Sequence, residues 1–294
     1  MVIGAGTGKG QRSRRRTQWG DVWHRFRKDK VAMISLLLLL VIILVTIGSE
    51  VIAPYPYGKI DLPERFAFPS RAHWFGTDNL GRDILSRVLV GGKISLLVAF
   101  AAVALAAVSG SIFGAMAGYY GGKCELIIMK CTDVLMAIPA FLLAVTVSAA
   151  LGTGVFETAL AVGLCNIPRF VRLMRAETLA VKGKEFIEAS RACGSSNFRI
   201  ILKHVFPNSL SSTIVNVTLG ISTAILQISG LSFVGLGVQP PNPEWGSMLA
   251  SGRTYIRDFW PMVTFSGVAI VITLILFNLV GDGLRDAMDP KLKR

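Results

Sequence analysis

Charge is scarce in this chain: Asp, Glu, Lys and Arg make up 17% of its 294 residues, against about 25% in an ordinary soluble domain. Histidine is scarcer still, and His24, His73 and His204 all fall outside the apolar runs. Ionisable groups deep in those runs are nearly absent, which argues against a proton-driven carrier, because such carriers place acids or histidines inside the membrane. The four cysteines, Cys124, Cys131, Cys165 and Cys193, imply no disulfide framework. Cys124 and Cys131 lack the accompanying ligand set that zinc needs. A phosphate loop is also missing: "GAGTGKG" (4–10) has Gly10 after Lys9 where Ser or Thr is required, and Ile3 where the first Gly belongs. The chain is therefore expected to hydrolyse no ATP itself, to hold no metal or cofactor, and to carry no catalytic residue.

What is present is apolar length. Ala, Val, Ile, Leu, Met, Phe, Trp, Tyr and Cys make up 52% of the residues, and a bilayer-crossing helix needs about 20 of them in sequence. Six runs qualify, at about 31–53, 94–120, 126–150, 155–178, 208–236 and 261–281. They are too long and too uniformly apolar for barrel strands. The expected fold is an all-α membrane protein with six transmembrane helices. The first run lacks the short core and cleavage site of a signal peptide and is expected to remain as a span.

The net charge of +13 sorts by side. With both termini in the cytoplasm, the inner segments hold 23 Lys and Arg and 10 acids, and the outer segments hold 8 of each. This is the positive-inside bias. It places both termini inside and makes a nucleic-acid partner unnecessary.

Three regions follow. Residues 1–30 form a basic cytoplasmic tail and an elbow helix, with Trp19, Trp23 and Phe26 on one face suited to the headgroup layer. Residues 31–93 hold the first span and an extracytoplasmic segment, in which Pro54, Pro56, Pro63 and Pro69 forbid a long early helix. Thr77 or Asp78 is expected to cap a short helix there, with Asp78 and Asp83 serving as caps and arginine partners and not as a catalytic pair. Residues 94–294 hold the core. Gly110, Gly114 and Gly118 recur every four residues, a stripe that lets another helix backbone approach closely. Pro139 and Pro168 interrupt the third and fourth runs and are expected to kink them unless neighbours compensate. Asp133 lies near the inner end of the third run, where Lys130 or Arg172 can pair with it.

Residues 185–208, "EFIEASRACGSSNFRIILKHVFPN", stand apart as a polar, basic stretch between apolar runs. The pattern predicts two short cytoplasmic helices. Gly194 ends the first, "SSN" caps the second, and Pro207 starts the next span. Phe198, Ile201, Leu202 and Val205 share one apolar face at helical spacing. Small residues (Ala189, Ser190, Ala192, Gly194) flanked by Glu188, Arg191 and Arg199 suit a docked partner. Packing against the chain's own helices fits the same pattern equally well.

Glu188-Ala189-Ser190, Gly194 and His204-Val205-Phe206-Pro207-Asn208 resemble the EAA loop of bacterial ABC importer permeases, in the peptide/nickel branch. Ser190 replaces the second Ala. "FGTDNLGRDILSRVLVGGKISL" (75–96) and "LSFVGLGVQPPNPEWGSML" (231–249) resemble segments of dipeptide and oligopeptide permeases. The likeness spans nearly all of 20–290. It implies a type I ABC importer permease fold in the bacterial plasma membrane. It further implies a homologous second permease subunit, two ATPase subunits that hold ATP and Mg, and an extracytoplasmic substrate-binding protein. In the family the EAA loop docks on the ATPase, so Glu188, Ala189, Ser190, Gly194, Phe198 and Arg199 become the expected coupling residues. Di- or oligopeptides are the expected substrates, with nickel or a nickel chelate as the alternative.

Overall fold

The structure, a computed structural model, describes residues 18–288. The basic tail with "GAGTGKG" and the last six residues lie outside that range. Among the described residues there is no strand, only an isolated bridge between Thr77 and Asp83. The chain is built from α1 Gln18–Phe26, α2 Lys30–Ile47, α3 Ser49–Ile52, α4 Ile84–Tyr120, α5 Gly122–Met136, α6 Ala140–Leu151, α7 Val155–Lys182, α8 Glu185–Ala192, α9 Asn197–Ile200, α10 Phe206–Phe233, α11 Trp245–Gly252 and α12 Pro261–Met288.

Among the described residues, four helical stretches are long and apolar enough to cross a membrane: Lys30–Ile47, Ile84–Tyr120, Asn197–Phe233 and Pro261–Met288. The pair α5 and α6, bent by 90° at their junction, makes a fifth if it is one span. α7 falls outside this set because Arg169, Arg172, Arg175 and Glu177 interrupt its apolar run. α2 leaves Leu37, Leu38, Leu40, Val41 and Leu44 exposed, as a helix bathed in lipid does. Asp29 Oδ1 caps it by accepting the N–H groups of Val31 and Ala32 at 2.9 and 3.1 Å.

Several expected boundaries move. The first span ends at Ile47, because the helix stops at Gly48. The second starts at Ile84, well before residue 94, and its cap is Asp83, neither Thr77 nor Asp78. Asp83 accepts the Ser86 N–H at 2.7 Å, the bond that a free first turn requires. The third run is not a straight span. α5 stops at Met136 and α6 begins after Pro139, because Ile138 precedes a proline and is driven out of helical geometry. Pro168 has the opposite outcome, for α7 runs unbroken through it.

The core lies where α2, α4, α7, α10 and α12 meet, around Ala99, Ala102, Ala106, Val162, Phe170, Ile225, Ile228 and Phe277. α4 and α7 pack along much of their length. A Cβ added to Gly110 would stand 2.5 Å from Phe170 Cβ, one on Gly114 2.5 Å from the Val171 carbonyl oxygen, and one on Gly118 2.7 Å from Thr178 Cβ. Phe26 of α1 is buried beside Ala32 and Gly283, which sets the start of the described chain against the end of α12.

Candidate functional site

The 183–208 segment leaves α7 at Gly183 and returns into α10. α8 carries Glu185 and Glu188 in its first turn and Arg191 in its last, the order its dipole favours. It closes with the Gly194 N–H on the Arg191 carbonyl at 2.9 Å and the Ser195 N–H on the Ser190 carbonyl at 3.1 Å. That pair of bonds is the Schellman pattern, and it requires the left-handed φ of +77° that Gly194 adopts. Ser196 Oγ then accepts the Arg199 N–H at 3.4 Å and starts α9.

The second short helix does not stand alone. Asn197–Phe233 is one continuous helical stretch, with a wide π turn at Ile201–Val205 in which the Phe206 N–H bonds the Ile201 carbonyl. Pro207 has no N–H to bond the Lys203 carbonyl, and the wide turn directly before it accommodates the gap. The Asn208 side-chain amide donates to the His204 carbonyl at 2.7 Å. The wide turn also breaks the 3.6-residue phase on which the expected apolar face was counted. Ile201 and Val205 are buried, whereas Phe198 and Leu202 are 70% and 50% exposed.

The segment therefore has two sides. Ile187, Ile200, Ile201 and Val205 pack against Ala115, Tyr119, Met174 and Val181 at the ends of α4 and α7. Tyr119 anchors this contact: its hydroxyl donates to Asn197 Oδ1 at 2.9 Å, and the Arg191 guanidinium lies over its ring at 5.2 Å. On the other side Glu188, Ala189, Gly194, Phe198 and Arg199 are exposed. Ser190 is half-buried, 3.4 Å from His204 Nε2. A Cβ on Gly194 would meet open space. Asp133 pairs with Arg172 at 2.8 Å, between α5 and α7.

Three further groups carry polar structure that sequence reasoning missed. In the 54–83 segment His73 bonds Glu64 Oε2 and Asp83 Oδ1, each at 2.8 Å. Asp78 is consumed by the N–H groups of Leu80 and Arg82 and by the Arg82 and Arg87 guanidinium groups. Asp83 thus caps α4 and pairs with His73, and Asp78 holds the 78–82 turn and pairs with Arg82 and Arg87. Glu244 is fully buried, accepting from Ser95 Oγ at 3.0 Å and from the N–H groups of Gly246 and Ser247 at 2.9 and 2.8 Å. An acid before "WGSML" is the signal the sequence offered, since a helix N-terminus favours negative charge. The third group is Arg169, an ionisable residue inside the fourth apolar run.

Comparison with known proteins adds the family. Residues 110–294 match the model described as "Binding-protein-dependent transport system inner membrane component". Residues 17–69 match "N-terminal TM domain of oligopeptide transport permease C". The chain is 45% identical over 279 residues to the glutathione transport system permease protein GsiD of Escherichia coli O157:H7, covering 95% of this chain and 92% of that one. It is 40% identical over 275 residues to the dipeptide transport system permease protein DppC of Alkalihalophilus pseudofirmus, covering 94% and 90%. A solved structure titled "Inward facing conformations of the MetNI methionine ABC transporter" is similar in fold, with a TM-score of 0.57, 19% identity, and coverage of 69% of this chain and 97% of that one.

Proposed function

We propose a function from one established premise: this chain belongs to the family of inner membrane components of binding-protein-dependent transport systems. It is a multi-pass protein of the bacterial inner membrane and a permease subunit of an ATP-driven importer of small peptides. The observation that carries the peptide reading is near full-length identity of 45% and 40% to permeases named for glutathione and for dipeptide transport. Those names favour peptides over nickel.

The finer reading follows from geometry and charge. α7 serves as a sixth span, with Arg172 and Arg175 neutralised by Asp133 and Glu125 of α5. Both termini face the cytoplasm, together with the 1–30 tail and elbow. Residues 31–93 supply a span and an outer segment, and 94–294 the permease core. A homologous permease completes the pathway, two ATPase subunits bind ATP and Mg, and a binding protein delivers the peptide outside.

Coupling runs through the exposed side of α8 and α9. Glu188, Ala189, Ser190, Gly194, Phe198 and Arg199 meet the ATPase, while the buried side carries its motion into α4 and α7. Nucleotide then shifts the balance between inward and outward states from outside this chain. The test is Gly194→Val in the reconstituted complex. A β-branched residue at φ +77° costs roughly 1–3 kcal/mol of strain and projects from the exposed side. The variant is expected to insert normally, yet to lose ATPase subunits on purification or to lose their stimulation by loaded binding protein. Glu188→Lys should do the same more weakly. Parental retention and stimulation in Gly194→Val would exclude this surface as the coupling element.

A further inference from the structure

A cleft of about 460 Å³ lies between α7, α10 and α12. Arg169, Glu177, Ser212, Asn216, Leu219 and Arg285 are among its walls, so its charged groups sum to one net positive charge. Arg169 is half-buried and sits near the middle of α7. Its hydrogen bond is to Asn216 Oδ1 at 3.3 Å, and among the described residues it has no carboxylate partner. The other two arginines of this helix behave differently: Arg172 pairs with Asp133, and Arg175 with Glu125.

A guanidinium has five N–H donors in a planar fork, and leaving it half-buried without an acidic partner is costly. The helix neutralises two of its arginines and turns the third toward an open polar space. α10 carries polar residues on past the cleft walls. Ser212, Asn216, Thr223 and Gln227 fall at i, i+4, i+11 and i+15, within one narrow face of the helix. Gln227 Oε1 in turn accepts from Asn166 of α7 at 2.8 Å. A lipid-facing helix has no use for such a stripe, because polar groups in hydrocarbon are penalised. A solute path does.

We propose that this cleft is a station on the import path and that Arg169 binds the carboxylate of the passing peptide there. The proposal rests on the peptide-importer reading. The guanidinium fork matches a carboxylate with two parallel charge-assisted bonds, Asn216 and Ser212 add neutral hydrogen-bonding groups, and the cleft is large enough for a small peptide. The same fork would accept a phosphate from an anionic lipid headgroup, so the two sources are separated by experiment.

The nucleotide-free complex in detergent is titrated with a dipeptide and with the C-terminal amide of the same dipeptide, read by saturation-transfer NMR without the binding protein. The free acid is expected to bind and the amide to bind at least about tenfold more weakly, the loss of a charge-assisted bond. In Arg169→Gln that preference should vanish, with Arg169→Lys keeping part of it. In proteoliposomes supplied with loaded binding protein, Arg169→Gln should lower peptide uptake per ATP hydrolysed while stimulated hydrolysis persists, equally in zwitterionic and anionic vesicles. Acid and amide binding alike in the parental complex, or full uptake by Arg169→Gln, overturns the proposal. A defect that appears only in anionic vesicles overturns it in favour of a lipid site. If the parental complex imports no peptide, the importer reading falls and this proposal with it.

Discussion

A single imidazole ties the 54–83 segment together. His73 is buried, which by itself favours the neutral ring, but its bonds to Asp83 and Glu64 outweigh that and raise its pKa above the ordinary histidine value. Asp83 is itself fixed, because its second oxygen accepts from Ser86 N–H and Oγ at 2.7 Å each. The Ser86 hydroxyl oxygen accepts the Tyr55 N–H at 3.1 Å, and the Tyr55 ring lies 4.7 Å from the imidazole. Lys59 and Asp61 line the small cavity beside it. A folded pKa above the unfolded one means that the stabilisation is complete below the unfolded value of about 6.5 and is lost as pH rises through the folded value. As pH rises above about 6.5 and through the folded value, the 55–83 segment should therefore loosen. Amide exchange followed by mass spectrometry, corrected for intrinsic rates, should show protection falling in the parental chain and nearly constant in His73→Gln. Protection that does not change with pH in the parental chain would remove His73 as the tie.

Between elements, the α4–α7 contact is the tightest test of the packing. The Cβ of any residue larger than glycine at 114 meets a backbone carbonyl at 2.5 Å and Met174 Cβ at 2.8 Å, and backbone cannot rotate aside as a side chain can. Gly114→Leu is expected to abolish or sharply lower complex yield, and Gly114→Ala to lower it measurably. Gly183→Ala, where a Cβ meets nothing within 4 Å, should leave yield unchanged. Size-exclusion yield of the solubilised complex checks all three, and normal yield in Gly114→Leu would remove the stripe from the packing account. The stripe was legible because its period of four matches a helix face. The break at Pro139 was legible only as a kink, since hydropathy records that a run is apolar and not whether it is straight. The fusion of α9 into α10 was not legible at all. It depends on one π turn, which shifts the phase after Ile200, so that Phe198 and Leu202 do not share the face that buries Ile201 and Val205, a change invisible to counting by 3.6. Arg169 went unread for another reason: the positive-inside count absorbed it as one more inner charge, when the structure places it within a helix of the bundle.

For the molecule as a whole, orientation decides which surfaces meet which partners. Phe26 of α1 packs beside Gly283 near the end of α12, so the two ends of the described chain share one end of the bundle. The buried side of α8 and α9 packs on Tyr119 and Val181 at the ends of α4 and α7. The opposite end gathers Ile84, Val88, Met248, Phe259 and Met262, packed with Phe66 and Phe75 of the 54–83 segment. The orientation proposed from the positive-inside bias puts the first of these ends in the cytoplasm, and that end then carries the proposed coupling surface. Native Cys193 is exposed there, next to Gly194. The check uses a chain in which Cys124, Cys131 and Cys165 are replaced by serine and Lys59→Cys is added. An impermeant maleimide should label residue 59 in intact cells, and should label Cys193 only after permeabilisation. With the outer and inner sites thus separated, adding the ATPase subunits back to stripped membranes should slow labelling of Cys193 and leave residue 59 unaffected. Labelling of Cys193 from outside would invert the topology, and with it the assignment of α8 and α9 to the ATPase side.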